Sequence, residues 1–349
     1  MKFKVFALGL LASAALSLSL APALANGRVV NLYSSRHYGA IEKPFQKFTA
    51  ETGIEVRLSQ GSPQALLERL RAEGRFSPAD LFLAIDAGTL ALAASEGLLQ
   101  PVESEILDKN IPAQFKDPDN QWFSLAIRAR TLVYNTDKVK PEELSTYEAL
   151  VDPKWQGRLC MRPASHIYTI SLVGSLIQRL GEEEAEEVVA GWVANNPIYI
   201  DSDTRMIENV AAGACDVAVV NHYYLARLRA QNPDSVKNVD IFWVNQGEGE
   251  GGVFYNVNAV GVTKSALNVE EAIEFIEYFS SLEGQAPDET GFPGGNHEYP
   301  VNPEAEINEF VLQLGQPIFN TSFNLWEYGA FQAPALDLLE RVGYSARPS

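Results

Sequence analysis

The sequence predicts an α/β protein of two lobes that are joined by two crossover strands. Segments with strand character alternate with segments of helical periodicity, which is typical of a doubly wound sheet. Two apolar, β-rich runs, WFSLAIRARTLVYN and GGVFYNVNAVGVTK, carry few turn signals and fit strands that pass from one lobe to the other. The length of 349 residues is sufficient for two domains with their own cores.

The N-terminal segment has the pattern of a secretory signal peptide. Lys2 and Lys4 precede an apolar run over residues 5–20, and an Ala-Leu-Ala sequence then leads to a cleavage site after Ala25. The alternative is a membrane anchor, but the run is short for a bilayer span and no basic cluster follows it. We therefore expect residues 1–25 to be removed after export, with no stable membrane insertion afterwards.

The first series of elements follows this segment. RVVNLYSS reads as a strand, and after it Ile41, Phe45 and Phe48 recur at helical spacing until Gly53 ends the helix. The pattern repeats with IEVRLSQG before SPQALLERLRAEG, and with ADLFLAID before AGTLALAASEG. Three consecutive strand-helix pairs predict one doubly wound lobe.

A second series begins after the first long apolar run. It comprises the strand GRLCMR, helices over 168–180 and 182–195, the strand PIYIDS, the helix TRMIENVAAG, the strand CDVAVVN and the helix YYLARLRAQ. If both long runs are crossovers, the chain enters the second lobe near Arg130 and returns near Tyr255. The predicted lobes are discontinuous and enclose a cleft. The N-lobe comprises residues 26–130 and 255–302, and the C-lobe comprises residues 131–254 and 303–349.

Charge and motifs exclude several classes of function. With 27 Lys and Arg against 45 Asp and Glu, the formal charge of −18 repels phosphate backbones, so we expect no nucleic-acid partner. The same charge can serve solubility alone or favour a cationic ligand. The sequence has no P-loop, nucleophile elbow, zinc-protease motif or EF-hand loop, so no enzyme activity is expected. The G-x-G-x-x-G at 247–252 contains two glutamates that would repel a pyrophosphate, and it reads as an acidic loop.

The only cysteines are Cys160 and Cys215. Each lies in or beside an apolar run that reads as a buried strand, and an exported protein can form disulfides. A bond requires the two Cα atoms to be close, which the sequence does not reveal. A disulfide and two buried thiols are therefore both open at this point.

Tyrosines recur where a predicted strand meets a helix. Tyr38 ends YSSRHY, Tyr168 ends RPASHIY, and Tyr223 and Tyr224 follow VVNH. In open α/β sheets ligands bind beyond the carboxyl ends of the strands, so all three segments are predicted to line the cleft. The alternative is that each tyrosine packs as an amphipathic aromatic residue at the rim.

These side chains favour ferric iron over other metals. A phenolate is a hard anionic ligand, and because the unperturbed pKa of tyrosine is about 10, only a strongly polarising cation keeps several of them deprotonated at neutral pH. Soft metals need Cys or Met clusters, Zn²⁺ needs spaced His and Cys, and Ca²⁺ needs a carboxylate loop, none of which is apparent in the sequence. His37, adjacent to Tyr38, can add an imidazole to the same ion.

Five segments together carry a resemblance to a known family: YSSRHY, SPADLFLAIDAG, WFSLAIRARTLVYN, GRLCMRPASHIY and ENVAAGACDVAVVNHYYLARL. They resemble the periplasmic ferric iron-binding proteins of ABC-type importers over nearly the whole chain that follows the signal segment. The paired tyrosines after a strand are the most specific motif. The His-Tyr pair in the first lobe is similar to the branch that binds Fe³⁺ without a synergistic carbonate.

The resemblance implies a type II periplasmic-binding-protein fold, a periplasmic location and delivery of ferric iron to an ABC-type permease. We also expect a monomer. The implied iron ligands are His37, Tyr38, Tyr168, Tyr223 and Tyr224. The chain departs from the usual family pattern at His166 and His222, and we expect each of these to be a rim or helix-cap residue.

A positively charged residue is expected behind the site. Fe³⁺ with four phenolates and one neutral imidazole carries a net charge of −1, and a partly buried charge needs a compensating partner. Arg128, in the first crossover strand, is the first candidate. The alternatives are Arg36, Arg162 and Arg205.

Two other functions are kept as alternatives. A binding protein for a small organic or cationic solute, such as a polyamine, would use carboxylates and aromatic faces in the same cleft. An exported hydrolase would need a nucleophile or a catalytic metal motif, for which the sequence offers no candidate.

Overall fold

The computed structural model describes residues 27–36, 42–320 and 324–345, and these ranges contain ten strands. In chain order the strands are β1 (Val29–Ser34), β2 (Glu55–Gln60), β3 (Leu81–Ala84), β4 (Leu99–Gln100), β5 (Phe123–Asn135), β6 (Leu159–Met161), β7 (Ile198–Tyr199), β8 (Val217–Asn221), β9 (Val239–Phe242) and β10 (Tyr255–Thr263). The predicted signal segment, residues 1–25, lies outside the described residues.

The helices predicted from the sequence are all present, together with others that the sequence pattern did not indicate. In chain order they are α1 (Glu42–Thr52), α2 (Pro63–Glu73), α3 (Ala87–Ser95), α4 (Glu105–Asn110), α5 (Ile167–Leu180), α6 (Glu182–Ala194), α7 (Asp203–Ala212), α8 (His222–Gln231), α9 (Val269–Ser280), α10 (Glu309–Leu312) and α11 (Tyr328–Arg341). Within the described ranges, no helix combines the length and the apolar character that crossing a bilayer would need.

Local sequence explains where several helices begin and end. The side chain of Ser62 caps the N-terminus of α2, and Pro63 occupies the first turn, where its missing N–H costs nothing. Asp86 caps α3 in the same way. Gly53 follows α1 with a φ of 74°, a left-handed conformation that glycine adopts without strain.

The strands form one sheet in the order β2-β1-β3-β10-β5-β8-β6-β7, with β4 beside β10 and β9 beside β5. β1 pairs in parallel with β2 and β3, and β6 pairs in parallel with β7 and β8. Each of these parallel halves comes from one of the two predicted series of elements. The antiparallel strands β5 and β10 lie between them.

β5 is the strand that connects the two halves. Up to Ala129 it pairs with β10, where Ala129 lies opposite Tyr255, and from Arg130 onward it pairs with β8 and β9. Every residue of β5 is buried, which fits its largely apolar sequence, and its polar residues include Arg128 and Arg130. Phe254, just before β10, accepts a hydrogen bond from the backbone N–H of Arg130 at 3.0 Å. The predicted division of the chain into two lobes depends on this change of partner strand at Arg130.

Two hydrophobic clusters fill the interior. The larger contains the fully buried side chains of Trp122, Trp155 and Trp192. The smaller joins α1 to α9, where the rings of Phe48 and Phe275 meet edge to face with centroids 5.3 Å apart. Removal of this apolar surface from water is the main favourable contribution to folding.

Cys160 on β6 and Cys215, just before β8, form a disulfide with their Cα atoms 5.9 Å apart. The sequence left a disulfide and two buried thiols open. The parallel pairing of β6 with β8 decides between them, because it brings the two cysteines within bonding distance.

The C-terminal helix α11 packs against both α3 and α5. A single buried carboxylate, that of Asp86, is shared at this junction. Gln332 on α11 donates to its Oδ1 at 2.7 Å, while Ser171 on α5 and Asn256 on β10 donate to its Oδ2 at 2.5 and 2.6 Å. Asp86 therefore links elements of both halves behind the cleft.

Candidate metal-binding site

Three of the predicted site tyrosines meet at the carboxyl ends of two neighbouring strands. Tyr168 lies in the first turn of α5, shortly after β6, and Tyr223 and Tyr224 lie in the first turn of α8, directly after β8. β6 and β8 are parallel neighbours, so their carboxyl ends open at the same edge of the sheet. The hydroxyl oxygens of Tyr168 and Tyr223 are 3.1 Å apart, and the rings of Tyr223 and Tyr224 stack with centroids 4.3 Å apart. The structure therefore brings these three buried phenols together.

The other two predicted ligands, His37 and Tyr38, lie outside the described residues, so their place in the site stays a prediction. The described part of the chain ends at Arg36, immediately before these two residues. Ser35 lines a cavity of about 430 Å³, whose walls include residues 60–64 from one half of the molecule and residues 165–167 from the other. This cavity is a cleft between the two halves, and it lies beside the start of the helix that carries Tyr168.

Three guanidinium groups surround the ring of Tyr168. The guanidinium carbons of Arg128, Arg130 and Arg162 lie 5.1, 5.4 and 5.7 Å from the ring centroid. Positive charge at such distances is attracted to the face of the ring. Arg128, the predicted compensating residue, is buried and donates to the backbone oxygen of Ile85. Its role in balancing the charge of a bound ion stays a prediction.

Of the three alternatives to Arg128, only Arg162 lies beside the described tyrosines. Arg36 forms a buried ion pair with Glu298 at 2.9 Å, and Arg205 is exposed on α7. Arg130 is missing from the predicted set. The signal that could have found it is its position two residues after Arg128 on one strand, which places both side chains on the same face.

The carboxylate of Asp203 balances two of these arginines. Its Oδ1 accepts a hydrogen bond from Arg162 Nε at 2.6 Å, and its Oδ2 accepts one from Arg130 Nη1 at 3.0 Å. Burial alone would raise the pKa of Asp203, but the charges of Arg130 and Arg162 and the hydrogen bonds that the carboxylate accepts lower it overall. The carboxylate is therefore ionised. Arg162 and Asp203 are 41 residues apart, so local sequence gives no sign of this pair.

His166 caps the helix that carries Tyr168. Its Nδ1 accepts a hydrogen bond from the backbone N–H of Tyr168 at 3.2 Å, which confirms the predicted helix-cap role. Burial, assisted by the charge of Arg162, lowers the pKa of His166 to about 4. His166 is therefore neutral at physiological pH and can act as an acceptor.

For His222 the prediction of a rim or helix-cap residue is wrong. Its side chain is fully buried, its Nδ1 accepts a hydrogen bond from the backbone N–H of Ala129 at 3.1 Å, and its ring stacks on Tyr299 with centroids 4.6 Å apart. The physical reason is that Asn221 stands at the cap position of α8, so that the ring of His222 packs against β5 instead. Burial lowers the pKa of His222 to about 3.

Because His222 is buried and neutral in the native state, we expect the free energy of unfolding to fall as the pH is lowered. Below about pH 6.5 the unfolded chain binds a proton at this residue, whereas the native state binds it only near pH 3. The contribution of His222 to the free energy of unfolding should therefore fall by roughly 1.4 kcal/mol for each pH unit within this interval. Urea unfolding of the ligand-free protein at several pH values measures the slope. His222→Gln, which keeps an acceptor but does not titrate, should flatten it, and an equal slope in both proteins would contradict the assignment.

The donor set in the described part of the site is phenolic. Among the described residues, no group of three or more His, Cys, Asp and Glu side chains is arranged to hold a metal ion. The hydroxyls of Tyr168 and Tyr223 share a hydrogen bond at 3.1 Å, so a cation that displaced their protons could bind both oxygens at once. The arrangement of Tyr168, Tyr223 and Tyr224 within a group of arginines therefore suits a hard, highly charged cation.

The comparison with known families gives a direct match. The family described as bacterial extracellular solute-binding protein matches residues 34–286, which is more than half of the chain. The chain belongs to this family. Relatives with names that refer to iron place it, within the family, among the periplasmic ferric iron-binding proteins.

Individual relatives of this solute-binding protein agree over nearly its whole length. Iron uptake protein A1 of Synechocystis sp. is 42% identical over 320 residues, which are 90% of this chain and 87% of the relative. A Trichodesmium protein (IdiA, FutA), solved in complex with iron and citrate, superposes with a TM-score of 0.82 at 41% identity and covers 91% of this chain and 100% of that one. The ferric binding protein from Campylobacter jejuni gives a TM-score of 0.83 at 30% identity, over 90% and 99% of the two chains. The predicted type II periplasmic-binding-protein fold is confirmed.

Proposed function

We propose that this protein is an extracytoplasmic solute-binding protein that captures ferric iron in the cleft between its lobes and delivers it to an ABC-type permease. The observation that carries the proposal is the 3.1 Å contact between the Tyr168 and Tyr223 hydroxyls, with Tyr224 stacked beside Tyr223. The relatives support it, because their names refer to iron or ferric binding and one of them was solved in complex with iron and citrate.

The proposed chemistry is the exchange of protons for a metal ion. Tyr168, Tyr223 and Tyr224 each lose a proton when they bind Fe³⁺, so uptake releases protons and weakens in acid. His37 and Tyr38 complete the coordination from the other lobe. Arg128, with the neighbouring arginines, offsets the negative charge of the phenolate complex.

The proposed organisation follows from the strand that changes partners. Residues 26–130 and 255–302 make one lobe, residues 131–254 and 303–349 make the other, and β5 crosses between them at Arg130. Residues 1–25 act as a cleaved signal peptide that directs export to the periplasm. The protein works as a monomer and turns over no substrate.

The surroundings of the tyrosines argue against a polyamine or another organic cation. Such a ligand needs free carboxylates and open ring faces. Here three guanidinium groups lie around the ring of Tyr168, and the buried carboxylate nearby, that of Asp203, is already bonded to two of them. An organic cation cannot form coordinate bonds to the phenol oxygens, so nothing would offset its repulsion by the guanidinium groups.

The visible spectrum of the iron-loaded protein tests the proposal. A ferric ion on phenolates should give a phenolate-to-iron charge-transfer band, with about one iron per chain. Ga³⁺ is the matched control, because it has the same charge but no accessible redox state, and it should bind without colour. Colourless protein that holds stoichiometric iron would show that the metal is not on the tyrosines.

A further inference from the structure

The side chain of Asp203 accepts hydrogen bonds from three residues that lie close to the site tyrosines. Asp203 is fully buried and is the first residue of α7, which Ser202 caps. Besides Arg162 and Arg130, its carboxylate accepts a hydrogen bond from the backbone N–H of Asn221 at 2.9 Å. Its two oxygens therefore accept hydrogen bonds from one backbone group and two guanidinium groups.

Each of the three donors is near a site tyrosine, either a few residues away along the chain or close to it in space. Asn221 ends β8 and lies two residues before Tyr223. Arg162 follows β6 and lies six residues before Tyr168. Arg130 faces Asn221 across the β5–β8 pairing, and its Nη1 also donates to the Asn221 side chain at 3.1 Å.

The same two arginines face the ring of Tyr168, at 5.4 Å for Arg130 and 5.7 Å for Arg162. Arg162 is anchored a second time, by Asp201 at 2.6 Å. Without a carboxylate between them, the two buried guanidinium groups would repel each other beside the ring. The carboxylate of Asp203 therefore determines where the positive charge lies relative to the phenols.

We propose that Asp203 is a positioning residue for ferric iron: through Arg130, Arg162 and the backbone of Asn221 it holds the Tyr168 and Tyr223 hydroxyls together and fixes the positive charge around them. This inference rests on the proposed function. It adds that ligand geometry in this lobe depends on a carboxylate that does not touch the metal. Groups that orient the ligands of a metal commonly affect its affinity by about 10- to 100-fold.

Asp203→Asn tests the inference, because the amide keeps the size of the side chain but removes its charge and replaces one acceptor oxygen by a donor. We expect the affinity for ferric iron to fall by about tenfold or more. We also expect the maximum of the phenolate-to-iron band to shift, because its energy depends on the charge around the phenolate oxygens. A purely structural role would not move the band.

Asp80→Asn is the matched control. Asp80 is also fully buried and accepts hydrogen bonds from Asn31, Leu267 and Asn268, but it lies at the opposite end of β3 from the cleft. Its loss should lower the melting temperature without moving the band. A band shift of the same size in Asp80→Asn, or an unchanged band and affinity in Asp203→Asn, would overturn the inference.

The outcome for the wild-type protein separates the two proposals. If wild type binds no iron or shows no band, the proposed function fails, whereas a normal wild type with an unaffected Asp203→Asn removes only the role of Asp203. Should Asp203→Asn not fold, Arg162→Lys decides by the same two measurements. It keeps the charge but loses the planar group that bridges Asp203 and Asp201, so the band should shift, and an unchanged band refutes the inference.

Discussion

Tyr223→Phe should reduce the affinity for ferric iron by more than about 100-fold, a larger loss than removal of a group that only orients ligands. The substitution keeps the ring and its stacking on Tyr224 but deletes one anionic donor. Tyr224→Phe should behave in the same way. His37→Ala should cost less, because a neutral imidazole leaves a position that water can fill, whereas a trivalent ion loses charge neutralisation with each phenolate.

Competition titration with a ferric chelator measures these differences. Tyr134→Phe is the control, since it removes another buried phenol of the same half of the sheet, from the end of β5 that pairs with the first residue of β8, opposite the edge at which the three site tyrosines lie. It should leave both the affinity and the charge-transfer band unchanged. If His37→Ala loses iron more readily than either Tyr223→Phe or Tyr224→Phe, the view that the phenolates dominate binding is wrong.

Removal of the Cys160–Cys215 disulfide should cost about 4 kcal/mol in the free energy of unfolding, the value that chain entropy predicts for a loop of this size. The bond spans 55 residues of sequence, which include α5, α6 and α7, so it restricts a large part of the unfolded chain. Urea unfolding of Cys160→Ala/Cys215→Ala measures the loss.

Reductant supplies the control for this measurement. Adding it should lower the unfolding midpoint of the wild type towards that of the double variant and should leave the double variant unchanged. The folded double variant should keep the wild-type charge-transfer band, because Cys160 lies on β6 and Cys215 just before β8, whereas the tyrosines lie beyond the carboxyl ends of these strands. Equal midpoints for wild type and double variant without reductant would contradict the assignment of a stabilising bond.

The elements of the two predicted strand–helix series could be predicted because their signals are local. The helix expected over 168–180 is α5 (Ile167–Leu180), and the helix expected over 182–195 is α6 (Glu182–Ala194). The long run WFSLAIRARTLVYN contains the single buried strand β5, as its few turn signals indicated. α11 was not predicted. Its position depends on packing against α3 and α5, and it contains Pro334 in its interior, which weakens the helical signal.

The candidate site also combines features that the sequence predicts with features that depend on long-range contacts. The position of Tyr168, Tyr223 and Tyr224 at the start of helices that follow strands could be predicted, because it depends only on short-range pattern. That β6 and β8 are neighbours, so that two of the hydroxyls lie 3.1 Å apart, depends on long-range pairing and could not be predicted.

Contacts between distant parts of the chain account for the rest. The disulfide, the pairing of Asp203 with Arg130 and Arg162, and the burial of His222 against β5 all join residues far apart in sequence. Periodicity shows which face of an element is buried, but not which element covers it. The sequence therefore determined the elements and the chemistry of the donors, and the tertiary structure determined which charges surround them.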